Sequence, residues 1–215
     1  MWITLLVLFM LLAACKPIAP VGAPAEPSAT PVAPASSVDS ALSYSLSGIQ
    51  ITLRRPGGWQ SYADEAGIAL AENPGSMIEG DVLQGILLYF WLPPLDQFVL
   101  PVTDGANVAL MVLNQVIARP EHVGSGSISA PQPFNWGQQS AAYYMLADAE
   151  DVTLVIAVVV PGGSRLLAMN LSAPLSEAQR IRTELAALLA GLTVNGSVMD
   201  AAALQRLSQT LEFPH

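Results

Sequence analysis

The stretch 152–171, VTLVIAVVVPGGSRLLAMNL, decides how the rest of the chain is read. Its first part, Val152 to Val160, is continuously apolar and rich in β-branched residues, the signature of a strand covered on both faces rather than one. Pro161-Gly162-Gly163-Ser164 then supplies turn residues, and Arg165 to Leu171 returns as a second apolar run. Two such runs around a short Gly-rich turn predict a β-hairpin at the centre of an antiparallel sheet.

Working outward, Gln138 to Leu146 is the strand expected before this hairpin, joined to it by the acidic turn Asp148 to Asp151. Ile86 to Leu92 (ILLYFWL) has the same two-sided apolar character and stops at Pro93-Pro94. Ile49 to Arg54 alternates with period two and closes at Pro56-Gly57-Gly58 before Trp59, which indicates a half-buried strand. A weaker alternation at Leu42, Tyr44 and Leu46 precedes it, and a short strand at Ile68 to Ala71 follows.

Two helices stand out. The first is expected from an N-cap at Asp104 to Ala118, with Val108, Met111, Val112, Gln115 and Val116 at helical spacing and Pro120 beyond its end. The second is expected to start at Ser176, where Ser176-Glu177-Ala178-Gln179 matches a capping box. It places Ile181, Leu185, Leu188, Leu189 and Leu192 on one face, and Gly191 is its natural stop. Val194 to Ser197 reads as a turn, and Ala201 to Leu211 as a short helix in a C-terminal tail. The order of elements gives an α+β fold, a mostly antiparallel sheet with helices packed on it and helices or loops covering both faces, without internal repeats.

The 215 residues suffice for one domain with a substantial core. A hydrophobic share of 52% against 12% charged excludes a disordered chain. The net charge of −9, from 8 basic and 17 acidic residues, argues against nucleic acid, whose phosphates require clustered Lys and Arg. Arg54-Arg55 and Arg180/Arg182 are the only basic pairs and read as a strand end and a helix face. Cys15 is the single cysteine, so the body holds no disulfide and no Cys-ligated metal.

Ile3 to Ala14 (ITLLVLFMLLAA) is apolar throughout but too short to span a bilayer core of about 30 Å, and reads as the h-region of an export signal. The Leu12-Ala13-Ala14-Cys15 that ends it resembles the lipobox of bacterial lipoproteins, although no basic residue precedes the apolar run. That resemblance implies cleavage after Ala14, a diacylglycerol thioether on Cys15, and anchoring by acyl chains, of which two hold stably where one is marginal. Residues 16–43, rich in Pro, Ala and Ser, contain too few large apolar side chains to offset the entropy of ordering and read as a disordered, extended tether. The expected organisation is a signal over 1–15, the tether over 16–43, a domain over 44–195 and a tail over 196–215.

The opening strand-turn Ile49 to Trp59, with ITLRRPGGW from Ile51 onward, the mid-chain helix Asp104 to Ala118, the hairpin Val152 to Leu171 and the closing helix after Pro174 resemble the PsbP-like fold. That fold is shared by the photosystem II extrinsic protein PsbP and the Ran-binding Mog proteins, and is common among small bacterial lipoproteins. The resemblance covers roughly residues 44–193 and implies an α-β-α sandwich that binds or scaffolds rather than catalyses. It assigns no role to any residue here.

The remaining chemistry is sparse. His122, in Arg119-Pro120-Glu121-His122, and His215 are the two histidines. A hydrolase would pair His122 with Ser125 or Ser127, but Gly124-Ser125-Gly126-Ser127 is not the G-x-S-x-G elbow. Glu121 and His122 are adjacent and rarely converge on one metal, and the acidic pairs Asp64-Glu65, Glu79/Asp81 and Glu150-Asp151 fall in expected turns. Among the aromatics Trp59, Trp91, Trp136, Tyr143 and Tyr144, Trp59 and Trp136 lie beside glycine and are the candidates for an exposed interaction surface. The expectation is a membrane-anchored extracytoplasmic lipoprotein of the cell envelope, non-enzymatic and cofactor-free, whose partners are the membrane through Cys15 and another envelope protein. The alternatives are a small-molecule or metal-binding receptor, which needs a concave pocket of about 300 Å³ or more, and a hydrolase using His122.

Overall fold

The structure, a computed structural model, describes residues 39–77, 82–100, 105–119 and 126–213. In chain order these form β1 (Ser40–Leu46), β2 (Ile49–Arg55), β3 (Gln60–Ala63), β4 (Ile68–Ala71), β5 (Leu87–Trp91), α1 (Val108–Ile117), β6 (Ser127–Ile128), β7 (Gln132–Trp136) and β8 (Gln139–Ala147). Then come β9 (Asp151–Val159), β10 (Leu166–Pro174), α2 (Ala178–Leu188), β11 (Thr193–Val194), β12 (Ser197–Val198) and α3 (Ala201–Thr210).

The expected hairpin is β9 and β10, antiparallel from Asp151 opposite Pro174 to Val159 opposite Leu166. It lies inside a sheet of order β3-β4-β5-β10-β9-β8, and the outer edge of β8 is shared by β6 and β7. A second small sheet, β1-β2-β11-β12, is closed by the two-residue turn Asn195-Gly196, whose φ values of 50° and 76° are those that the tight hairpin turn demands. Every described strand pair is antiparallel. The fold is α+β.

Strand alternation sorts the sheet into two faces. Phe90, Ile156, Leu167, Met169 and Leu171 face the larger core, which also holds Ile51 and Leu53 from the small sheet and Ile181 and Leu185 from α2. Tyr144, Val155, Ala157 and Leu166 face α1 through Val112, Leu113 and Val116. The sheet is thus the middle layer, as the two-sided apolar runs imply.

Several expectations need correction. Residues 196–213 are part of the main core, because Ala203, Leu204, Leu207, Leu211 and Phe213 pack into it and α3 lies on α2. α1 starts at Val108 and is capped by Asn107, which accepts from the Leu110 amide at 3.0 Å and donates to the Ala141 carbonyl at 2.9 Å. Asp104 lies outside the described residues. The capping box at Ser176 does not form: Leu175–Glu177 is a 3₁₀ turn, α2 begins at Ala178, and Glu177 pairs with Arg180 at 2.7 Å instead. The short strands β3, β6 and β7 were not expected.

The proposed aromatic surface at Trp59 and Trp136 is overturned. Their side chains are only 7% and 1% exposed and belong to the main core. Trp136 lies against Phe134, with ring centroids 6.3 Å apart, and α3 packs on the strand that carries both.

Candidate functional site

The sheet register assembles a different aromatic surface. On the α1 side, one cross-strand row runs Tyr62, Ala69, Tyr89, Asn170, Val155, Tyr144 from β3 to β8. The row beside it contains Trp91 and Ala168, and the row on the other side Gln60, Ala71, Leu87, Ser172 and Thr153. α1 packs chiefly on β8 and β9, so it seals the Val155–Tyr144 end of these rows. The other half of the face, on β3, β4, β5 and β10, carries Tyr62, Tyr89, Trp91 and Leu87. Tyr62 is 59% exposed and the other three are half-buried.

The small residues Ala69 and Ala71 leave room for the large rings of neighbouring strands to lie across the sheet. Tyr89 and Trp91 stack with centroids 5.6 Å apart and planes at 27°. The Tyr89 hydroxyl reaches over Gly67, where a β-carbon would collide with it and with the Phe90 carbonyl. Burial pushes the Tyr89 hydroxyl above its ordinary pKa, and the nearby Asp64 carboxylate adds to this, so the ring stays neutral.

Two polar atoms of these rows, both buried, have no hydrogen-bond partner among the described residues: the Trp91 indole N–H, a donor, and Asn170 Oδ1, an acceptor. They flank a narrow apolar cavity between the sheet and α1, lined also by Phe98, Val112 and Leu166. Its volume is about 30 Å³, enough for about one water molecule and far short of a small-molecule pocket. Tyr144 borders the same space, and burial pushes its hydroxyl up to about 12. The Thr153 and Ser172 hydroxyls pair with each other at 2.8 Å. What this half-face offers is ring surface for stacking, with the Tyr62 and Tyr89 hydroxyls as hydrogen-bonding groups.

Elsewhere the candidate groups have structural tasks. Asp64 accepts from the amides of Ala66 and Gly67, and Asp148 from those of Glu150 and Asp151, so both acidic clusters build turns. Arg54 pairs with Asp39. Arg180 is held by Glu72, Glu177 and Glu184 at 2.7–2.9 Å, and Arg182 binds the Leu211 carbonyl and lies over the Phe213 ring at 5.5 Å. Open grooves of about 620 Å³ beside Ser45 to Ser47 and Asp64, and about 480 Å³ between β7 and α3, are shallow and partly polar. Among the described residues no group of three or more His, Cys, Asp or Glu could hold a metal ion, and no helix is long and apolar enough to cross a membrane. Cys15, Glu79, Asp81, Glu121, His122, Ser125 and His215 lie outside the described residues.

Sequence reasoning singled out Trp91 but missed Tyr62, Tyr89 and Asn170. Alternate positions in 87–91 hinted at a Leu87-Tyr89-Trp91 face, but the partner strands that complete the surface follow only from register.

The sequence matches no protein-family model and no curated protein. Solved structures similar to this one include cyanobacterial PsbP (CyanoP) from Synechocystis, with a TM-score of 0.48 and 11% identity over 82% of this chain and 99% of that one. LpqN of Mycobacterium tuberculosis, described as involved in cell envelope biogenesis, gives 0.46 and 14% over 73% and 91%. The Ran-binding protein Mog1p of Saccharomyces cerevisiae gives 0.42 and 12% over 79% and 91%. The likeness is to the PsbP-like fold that the order of elements resembles, and it concerns fold alone.

Proposed function

We propose that this chain is a lipid-anchored binding domain on the extracytoplasmic side of a bacterial cell membrane, which engages another envelope protein and has no enzymatic activity of its own. The observation that carries the binding role is the aromatic half-face on β3, β4, β5 and β10, where the exposed Tyr62 lies in one cross-strand row with the stacked Tyr89. Stacked aromatics contribute contact area at little conformational cost, as at interface hot spots. Location rests on the apolar run ending in Leu12-Ala13-Ala14-Cys15 and on the Pro-rich segment after it.

Two measurements test the reading. Cys15→Ser is expected to abolish acylation, read by mass spectrometry of the N-terminal peptide; an unmodified Cys15 thiol in the parent protein refutes the anchor. For the surface, Tyr62→Ser should remove a partner that co-purifies stoichiometrically with the parent protein from solubilised membranes. Trp136→Phe, a change inside the core, should retain it. The same protein set for all three chains refutes the binding role.

A further inference from the structure

The cavity under α1 has its cause in the sheet register. One cross-strand row on the α1 side runs Trp91, Ala168, Ala157, Ala142 from β5 to β8. Successive alanine methyls make a trough beside the indole, and Val112, Leu113 and Val116 of α1 roof it without filling it. The neighbouring row contributes Asn170, two residues along β10 from Ala168 and therefore on the same face as Trp91. Trp91 and Asn170 both line the cavity, and the indole N–H and Asn170 Oδ1 are buried without a partner among the described residues. We propose that the trough is an internal hydration site, in which one water molecule accepts from the Trp91 indole N–H and donates to Asn170 Oδ1. The inference does not depend on the half-face being a binding surface.

Size and chemistry select this occupant. A volume of about 30 Å³ admits a water molecule and falls far below the roughly 300 Å³ at which small-molecule pockets begin. None of the described lining residues carries a charge, so an ion would enter without a counter-charge, at a desolvation cost that one amide oxygen and one indole N–H do not offset. A cavity with purely apolar walls stays dry, whereas internal waters are held by buried polar groups that otherwise lack partners. Here one such group donates and the other accepts. Water does both at once, so a single molecule removes the penalty of leaving each atom unpaired.

The site has a consequence for the surface next to it. The Trp91 ring stacks on Tyr89 with centroids 5.6 Å apart, and its N–H edge is the part that meets the trough. A water bonded to both Trp91 and Asn170 ties the indole of β5 to a side chain of β10 and fixes the orientation in which the ring meets Tyr89.

The test is water-selective NMR on the full-length chain in detergent micelles with isotopically labelled tryptophan, the Trp91 indole resonance being identified by its loss in Trp91→Phe. The Trp91 N–H is expected to show cross-relaxation with water of opposite sign in the laboratory and rotating frames, the signature of a held rather than a passing molecule. Asn170→Leu, which keeps the side chain near its size but removes the acceptor, is expected to abolish that cross-peak. Tyr144→Phe deletes the one hydroxyl among the described lining residues and is expected to leave it. A parent indole N–H without the cross-peak overturns the proposal, whether or not the Asn170 variant folds. So does a cross-peak that survives Asn170→Leu. Loss of the signal in Tyr144→Phe assigns it to the exchanging hydroxyl proton and overturns the proposal as well.

Discussion

Trp136 packs with Phe134, which makes an edge contact with Tyr143 at 6.0 Å, and its indole N–H has no partner among the described residues. Truncation leaves a large void, so Trp136→Ala is expected to cost about 3–5 kcal/mol in urea unfolding. Trp136→Phe removes the orphan donor along with part of the ring and should cost markedly less than the alanine change. Glu72 and Asp151 give opposite pH signatures. The Arg180 guanidinium holds the Glu72 carboxyl below its ordinary value, the Ile86 amide adds to this, and burial opposes it. Its contribution is therefore present above the unfolded-state pKa and is lost as pH falls through the depressed folded value. Glu72→Gln is expected to lower the urea midpoint at pH 7, and the difference from the parent should vanish in strong acid. Gly85 belongs to this arrangement, because a β-carbon there would run into the Glu72 carboxylate and its φ is 68°. Burial, with Asp148 and Glu150 nearby, raises Asp151. The fold then favours the protonated form, and stability declines as pH rises from the unfolded value through the folded one. Asp151→Asn should raise the midpoint at pH 7 and lose this advantage below about pH 4, the ordinary aspartate range.

At the level of elements, helix starts separate what local sequence encodes from what packing imposes. Asn107 and Asp200 cap α1 and α3 by accepting from Leu110 and Ala202 amides. Asp200→Ala should cost about 1 kcal/mol, and Asn107→Ala up to about 2, because it also abandons the Ala141 carbonyl. Ser176→Ala, which the capping-box pattern marks as damaging, should change stability by less than about 0.5 kcal/mol, since that box is not formed. Denaturant unfolding of the three variants orders them. The start of α2 was misread because Glu177 has a stronger alternative, an ion pair with Arg180, and Pro174 still belongs to β10. β3, β6 and β7 were illegible for a related reason. They are short strands at the sheet margins, half-exposed, and β7 contains Pro133, which an edge strand tolerates because it ladders on one side only.

For the whole molecule, α3 is the element whose status changes most between the two readings. It presents Leu204 and Leu207, and the residue after it Leu211, to the same core as α2, so removing residues 200–215 should expose that core and abolish cooperative unfolding, seen as dye binding and loss of amide protection. A truncated chain that unfolds as sharply as the parent returns 196–215 to the status of a tail. The amino-acid sequence alone determined the α+β class, the central hairpin at 152–171, the helices near 108–117 and 178–188 and the two-sided burial of the sheet, because period and composition within one segment are local quantities. The same holds for the lipobox-like tetrapeptide at Cys15, which is read as a contiguous string. Only the tertiary structure decided that Trp59 and Trp136 are interior and that Tyr62, Tyr89, Trp91 and Asn170 form one surface. Those positions are up to about a hundred residues apart, and what joins them is strand register, the sum of many weak pairings that no short window of sequence contains.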